Sequence, residues 1–314
     1  MGASRTAIVM VLVAAASSVA LPGAAVALAH RAPMPTGPSA VAPVIAGDAS
    51  QSPNGKLPAG TPSPSSPAPT ATAPAEPPPV DPASLPEARY DAVIPGLPEY
   101  ASPQVTELAR VAYSLRADAL LSAEPGGPPI ARFAATNFLG EPTVVVRVAL
   151  QKRWALVLTP ARSVLPSQNG GSAPAQTAGW MPVALLTQPR ALTSSIVIAV
   201  SHQTLSIVTE GAPAKSFAVG VGTAATPTPQ GVTGYLQARY LDANQHQTRF
   251  RVQLSSLHSA AADEPFGGSD GGLIGIHYER TATGAVSHGC VRLGEDAVRA
   301  VDALPLGTPL SIVG

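Results

Sequence analysis

Between His30 and Pro86 the chain is built almost wholly from Pro, Ala, Ser and Thr with scattered Gly, as in Thr61-Pro62-Ser63-Pro64-Ser65-Ser66-Pro67 and Pro77-Pro78-Pro79. The segment lacks the periodic apolar positions that would bury a core, so nothing in it offsets the entropy of ordering its own backbone. Residues 30–86 therefore read as a disordered linker, and the folded cores must lie C-terminal to it. If largely polyproline-like, at about 3.1 Å per residue, this linker reaches on the order of 150 Å.

Ahead of the linker, Arg5 precedes an apolar run from Ala7 to Leu21, followed by Pro22-Gly23 and Ala27-Leu28-Ala29. A basic end, an apolar core and an A-x-A site in that order describe a secretory signal peptide over residues 1–29, cleaved after Ala29. The run falls short of the roughly 20 apolar residues needed to span a bilayer. An uncleaved anchor is the alternative, and it would be the chain's one link to a membrane. No cysteine stands near the start to carry a lipid. With a formal net charge of zero and 4% aromatic residues, the chain has neither a basic field nor a stacking platform for nucleic acid.

Residues 87–190 read as a small β domain. Ser102 to Leu115 is expected to form a short helix, because Val105, Leu108, Ala109, Ala112 and Tyr113 fall at helical spacing. Strand-like runs follow at Ile130 to Ala134, Thr143 to Ala149 and Trp154 to Leu158, and a Gly/Ser/Pro stretch from Pro166 to Ala178 leads into Gly179-Trp180-Met181. Trp154-x-x-Val157-Leu158 followed by Gly179-Trp180 resembles the SH3-like barrels found beside many cell-wall enzymes. Trp154 and Trp180 are expected in the barrel core, with wall binding as the alternative.

Residues 191–314 show the most regular pattern. Ser195 to Val200, Thr204 to Thr209 and Ser216 to Val221 are β-branched runs separated by turn residues, the mark of an antiparallel meander. Gly234 to Tyr240 and Arg249 to Leu254 add two more. Near the end, Glu295-Asp296 suits a helix N-terminus, Ala297, Val298, Val301 and Leu304 share one helical face, and Pro305 stops the helix. Pro309 to Val313 reads as a closing strand. The expected architecture is mainly β, a mixed sheet or sandwich with one short helix.

The chain holds one cysteine, Cys290, in Ser287-His288-Gly289-Cys290-Val291-Arg292. An exported domain usually pairs its cysteines, so a single one points to thiol chemistry. A thiol of pKa about 8.5 is only slightly ionised at neutral pH and needs a base, for which histidine is suited. His288 lies two residues away, which in a strand places both side chains on one face. His277 ends the apolar run Leu273-Ile274-Gly275-Ile276, an expected neighbouring strand, with Tyr278 to Val286 as the connecting loop. His277, His288 and Cys290 would also supply three zinc ligands, but no fourth recurs at zinc-like spacing, so neither metal nor cofactor is expected.

Ile276-His277, a loop containing Gly284, and then Ser287-His288-Gly289-Cys290-Val291-Arg292 resemble the signature of the L,D-transpeptidase catalytic domain of bacterial cell-wall enzymes. Ile196 to Val200, Gln203-Thr204-Leu205, Ala218-Val219-Gly220-Val221-Gly222 and Thr226-Pro227-Thr228-Pro229-Gln230-Gly231 fall upstream in the order of that family, so the resemblance spans residues 195–313. It implies Cys290 as nucleophile, His277 as its base, His288 in support, Ser287 orienting the histidines, and Gly289 letting backbone amides approach a developing oxyanion. Arg292 matches the position that meets a substrate carboxylate, with a surface pair to Asp296 as the alternative. The implied substrates are peptidoglycan stem peptides. The implied reaction is a thioester on Cys290, resolved by an amine to give a 3→3 cross-link or by water, as an L,D-carboxypeptidase does; a non-catalytic wall-binding protein is the third reading. Carbapenem acylation of Cys290 is implied too, as is a place outside the cytoplasmic membrane, secreted or tethered. The Ala/Pro bias suggests a GC-rich actinobacterial source.

Two departures from the family stand out. Tyr278-Glu279 replaces the usual glycine and threonine, and the loop to the cysteine segment is shorter. Tyr278 is therefore expected to cover or narrow the donor pocket.

Overall fold

A computed structural model describes residues 80–241, 243, 249–261 and 272–314. The signal peptide over 1–29 and nearly all of the linker over 30–86 lie outside the described residues. Pro82–Ser84, at the end of that stretch, forms a single 3-10 turn capped by Asp81. No helix among the described residues is long and apolar enough to cross a membrane.

Seven strands make the first sheet: β1 (Val111–Leu115), β2 (Ala119–Ser122), β3 (Pro129–Phe133), β4 (Val144–Gln151), β5 (Trp154–Thr159), β6 (Thr177–Pro182) and β7 (Leu186–Ala191), in the order β3-β2-β6-β5-β4-β1-β7. Alternation along the strands sets its two faces. Ala155, Val157 and Met181 enter the sheet's own core, with Leu121, Phe133 and Val145. The opposite face carries Val146, Val148, Leu158 and Ala178.

The expected helix over 102–115 is not present. Only Glu107–Arg110 turns, as a 3-10 helix capped by the Thr106 side chain, and Val111–Leu115 is a strand. Ala112 pairs with Val146 of β4, and Val111 with Ala191 of β7. Two flanking strands satisfy this backbone on both sides, which outweighs a local helical spacing that a five-residue strand shares by coincidence. Trp154 and Trp180 also depart from expectation. Their strand parity puts them on the face opposite Ala155, Val157 and Met181, and both are only half-buried, so they are not the core of this sheet.

The second sheet holds β8 (Ser194–Ala199), β9 (Thr204–Thr209), β10 (Lys215–Ala218), β11 (Gly220–Gly222), β12 (Val232–Tyr240), β13 (Val252–His258), β14 (Leu273–Tyr278), β15 (Gly284–Ser287), β16 (Val291–Leu293) and β17 (Pro309–Val313), in the order β10-β9-β8-β17-β12-β13-β14-β16-β11-β15. The hairpins β8-β9-β10 form the expected antiparallel meander. The closing strand β17 inserts between β8, which it meets in parallel, and β12. The run expected as one strand from Ser216 to Val221 is two. It breaks at Val219, whose N–H turns to Gln203, so that β10 stays with β9 while β11 joins β15 and β16.

One helix, α1 (Glu295–Asp302), packs Ala297, Val298 and Val301 against Ile274, Ile276, Val291 and Leu293. Glu295 and Asp296 occupy its first turn, where negative charge is favoured, and full burial of each valine contributes about 1.5–3 kcal/mol. The opposite face of the sheet is partly covered by the first sheet. Tyr235 of β12 is buried among Val146, Val148, Leu158 and Ala178.

Polar groups cross the same seam. Ser256 Oγ donates to Gln176 Oε1 at 2.6 Å, buried Arg162 donates to the Ser259 carbonyl at 3.1 Å, and His258 Nε2 donates to the Pro160 carbonyl at 2.6 Å. All the described residues fall in one compact unit.

Candidate active site

The candidate site lies on the face of the second sheet turned away from α1. Ile274 and Ile276 of β14 point into the helix-side core, so Gly275 and His277 point the other way. β16 runs parallel to β14 with Ile276 opposite Val291 and His277 opposite Arg292. That register brings Cys290, the residue just before β16, beside Gly275. A Cβ placed on Gly275 would lie 3.6 Å from Cys290 Sγ, 3.9 Å from His277 Cδ2 and 3.7 Å from Val252 Cγ1. Thiol and imidazole thus border one small space that glycine leaves open. Val252, Leu254 and Ala238 form an apolar floor beside it, and Phe138 of the first sheet's 137–141 turn packs onto that floor.

Cys290 is half-buried and in no disulfide, and its sulfur lies 3.9 Å from the Leu273 carbonyl. The His277 ring is buried. Its Nδ1 lies 3.0 Å from the Tyr278 carbonyl oxygen, and its buried Nε2 has no hydrogen-bond partner. A carbonyl only accepts, so Nδ1 carries the proton and the Nε2 lone pair is available. Burial pushes the pKa of His277 below the ordinary histidine value. The bond to Tyr278 opposes that shift, and the positive charge of Arg292 adds to it. The ring is therefore neutral at neutral pH.

Ser287, His288 and Gly289 form a turn between β15 and β16. Gly289 has φ +105°, a conformation glycine adopts at little cost. His288 and Cys290 accordingly do not share the face of one strand as expected, because the segment bends between them. Ser287 Oγ donates to the Cys290 carbonyl at 2.5 Å and accepts from the Gly289 N–H at 3.2 Å. Its hydroxyl braces the turn. The expected loop from Tyr278 to Val286 also contains the start of β15, which pairs in parallel with β11.

Arg292 shares the face of His277, and its buried Nε has no hydrogen-bond partner. It makes no salt bridge to Asp296. Tyr278 is not brought to the cysteine. Strand alternation turns its ring to the helix side, where it meets Phe250 with centroids 5.2 Å apart and Arg249 lies over it at 5.9 Å. The backbone carbonyl of Tyr278, not its ring, reaches the site. Among the described residues, no group of three or more His, Cys, Asp or Glu side chains is arranged to hold a metal ion.

The threonines of Thr226-Pro227-Thr228 touch the cysteine turn directly, although their sequence suggested only a family motif. Thr226 Oγ1 donates to the Ser287 carbonyl at 3.0 Å, Thr228 Oγ1 donates to the Gly289 carbonyl at 2.8 Å, and Thr228 Oγ1 accepts from the Gly222 N–H at 2.8 Å. Alternation of threonine with proline is the signal that could have marked a rigid, hydroxyl-bearing strap.

Residues 193–312 match the model of the YkuD family, the L,D-transpeptidase catalytic domain. Over this stretch the observed architecture is the mainly β fold with one short helix expected from the sequence. No curated protein matches the chain in sequence. Solved structures similar to it include an L,D-transpeptidase from Stackebrandtia nassauensis, 17% identical, covering 39% of this chain and 56% of that one with a TM-score of 0.27. Another is L,D-transpeptidase 1 of Mycobacterium tuberculosis, 19% identical, covering 44% and 77% with a TM-score of 0.28. A further L,D-transpeptidase from Mycobacterium tuberculosis H37Rv is 15% identical, covering 55% and 90% with a TM-score of 0.32. The chain spans 49 to 56% of the length of the first structures it matches.

Proposed function

We propose that this chain is an exported cysteine acyltransferase that acts as an L,D-transpeptidase on peptidoglycan tetrapeptide stems. The observation that carries the reading is the shared space at Gly275, bordered by the Cys290 thiol and by a neutral His277 whose buried Nε2 has no hydrogen-bond partner. His277 takes the thiol proton, and the thiolate attacks the carbonyl of the L-centre of diaminopimelate, the third residue of the stem. The S–C bond forms, the amide C–N bond to the terminal D-alanine breaks, and the departing amine takes the proton from His277. A thioester remains on Cys290. An amine of a second stem then attacks it, giving up a proton to His277; the C–N bond of the 3→3 cross-link forms, the C–S bond breaks, and the proton returns from His277 to the released thiolate.

Gly289 and the amides of the turn face the developing oxyanion in this scheme, with His288 and Ser287 supporting the turn. Arg292, a cation on the face of His277 with no salt bridge to Asp296, receives a substrate carboxylate. Residues 1–29 direct export or tether the chain, residues 30–86 act as a spacer, and residues 87–190 form the small SH3-like β domain before the catalytic domain over 191–314. The working place is the cell wall outside the cytoplasmic membrane.

Incubation with disaccharide tetrapeptide, followed by product mass analysis, tests the reaction. A cross-linked dimer supports the transpeptidase, a tripeptide with no dimer would make the chain an L,D-carboxypeptidase, and no turnover counts against both. Intact mass after exposure to a carbapenem should show an adduct on the wild type and none on Cys290→Ala. A well-folded wild type that takes no adduct would favour a wall-binding role without catalysis.

A further inference from the structure

The Thr226-Pro227-Thr228 strap contacts the cysteine turn at two carbonyls and nowhere touches the thiol or the imidazole through a hydrogen bond. Ser287 carbonyl oxygen accepts from Thr226 Oγ1 at 3.0 Å and from the Thr223 N–H at 3.1 Å. Gly289 carbonyl oxygen accepts from Thr228 Oγ1 at 2.8 Å, and that hydroxyl is itself fixed by the Gly222 N–H at 2.8 Å. Thr226 is held in turn, its N–H donating to Thr223 Oγ1 at 3.2 Å. Thr226 and Thr228 are buried, so their hydroxyls do not compete with water for these partners.

Peptide geometry carries these contacts over to the amides of the turn. Across a planar trans peptide the C=O of one residue and the N–H of the next point in opposite directions. Tying the Ser287 carbonyl towards the strap therefore aims the His288 N–H away from it. Tying the Gly289 carbonyl does the same for the Cys290 N–H. A glycine at φ +105° does little to hold these peptide planes, and the Ser287 hydroxyl, which braces the turn from within, touches neither the Ser287 nor the Gly289 carbonyl, so the strap restrains those two carbonyls from outside. Gly222 is what permits the contact, since a Cβ there would lie 2.3 Å from the Thr226 carbonyl oxygen and 2.4 Å from the Thr228 nitrogen.

We propose that Thr228, with Thr226 in a lesser part, is a positioning residue for acyl transfer: it anchors the carbonyls of the Ser287–Cys290 turn so that the His288 and Cys290 N–H groups are held ready to receive the oxyanion. The inference rests on the reading of Cys290 as the acyl-carrying nucleophile. Thr226 is assigned the smaller share because the Thr223 N–H still holds the Ser287 carbonyl when the Thr226 hydroxyl is lost. Thr228 alone among the strap side chains holds the Gly289 carbonyl.

Two rates on the full chain separate this role from a general structural one. Acylation by a carbapenem forms an S–C bond and breaks the lactam C–N bond through an oxyanion, so it needs the aimed amides. Alkylation by iodoacetamide forms an S–C bond and expels iodide with no oxyanion, so it reads only the thiolate. Thr228→Val should lower the acylation rate by about ten- to a hundred-fold, in line with loss of aim at an oxyanion donor, while alkylation stays within about three-fold and Thr228→Ser restores acylation. Thr226→Val should show the same selective loss with a smaller size, and it decides the matter by the same two rates if Thr228→Val does not fold. Unchanged acylation in a folded valine variant overturns the proposal, as does a parallel fall of both rates or a failure of serine to restore acylation. Wild type that is alkylated but never acylated would instead overturn the reading of Cys290 on which the proposal rests.

Discussion

The Nδ1 of His277 donates to the carbonyl oxygen of Tyr278 at 3.0 Å, which leaves its buried Nε2 as an acceptor on a ring that borders, with the Cys290 thiol, the space at Gly275. The residue that departs from the family pattern thus contributes through its backbone, which any residue at that position would offer. Its ring is held on the other side of the sheet by Phe250 and Arg249.

The pH dependence of acylation follows from this arrangement. Burial holds the pKa of His277 below the ordinary value of about 6.5, so the neutral base persists to lower pH than an exposed histidine would allow. The acid limb of the carbapenem acylation rate should have its midpoint below pH ~6.5. A midpoint above that would show that the titrating base is not this buried ring. His277→Gln should lower the rate by about 10²–10⁴-fold across the whole range.

Gly275 keeps open the space that Cys290 and His277 border. Because its virtual Cβ would stand 3.6–3.9 Å from Cys290, Val252 and His277, Gly275→Ala should fold with little loss of stability. It should still slow acylation, on the order of ten-fold, since small displacements of reacting groups cost up to about 10² in rate. Gly275→Val, which adds volume into the same space, should cost about 1–3 kcal/mol as well. Thermal unfolding and adduct formation measured on both variants check this. Full-rate acylation by Gly275→Val would contradict the placement.

Gly222→Ala should destabilise the domain, because its Cβ would stand 2.3 Å from one backbone atom of the strap and 2.4 Å from another. The strap must move, and the expected cost is about 1–3 kcal/mol. Denaturant unfolding measures it. A transition midpoint equal to that of the wild type would mean that the strap is not packed this closely.

Stability should also fall in acid through His258. Burial, reinforced by the charge of Arg162, depresses its pKa to about 3. Unfolded, the ring binds a proton near pH ~6.5, whereas folded it stays neutral until far lower pH. The unfolded state therefore holds the extra proton over that window, and stability present above pH ~6.5 is lost towards about pH 3, at about 1.4 kcal/mol per pH unit. His277 adds a loss of the same sign. Chemical denaturation between pH ~7 and ~5 should show this slope, reduced in His258→Gln, which can still donate to Pro160. An equal slope in the variant would exclude His258 as its source.

Local periodicity was a good guide where an element satisfies itself. α1 is legible in Ala297, Val298, Val301 and the terminating Pro305, and β17 coincides with the run from Pro309 to Val313. It failed where a partner far along the chain decides. Val111–Leu115 became a strand because β4 and β7 lie on either side of it. Ser216 to Val221 split because its two halves found different neighbours. Trp154 and Trp180 sit outside the core because the sheet's register, not residue size, assigns the faces.

Sequence alone determined the chemistry on offer: one thiol in Cys290, the histidines His277 and His288 near it, and Gly289 next to the thiol. Those are properties of residue identity and short spacing, which the chain carries whether folded or not. Only the tertiary structure decided how these groups meet. The parallel register of β14 with β16 set Cys290 beside Gly275, and hydrogen bonds spanning 61 residues tied Thr226 and Thr228 to the turn that carries the thiol. Such contacts depend on closing long loops against chain entropy, a sum over the whole fold that no local pattern encodes.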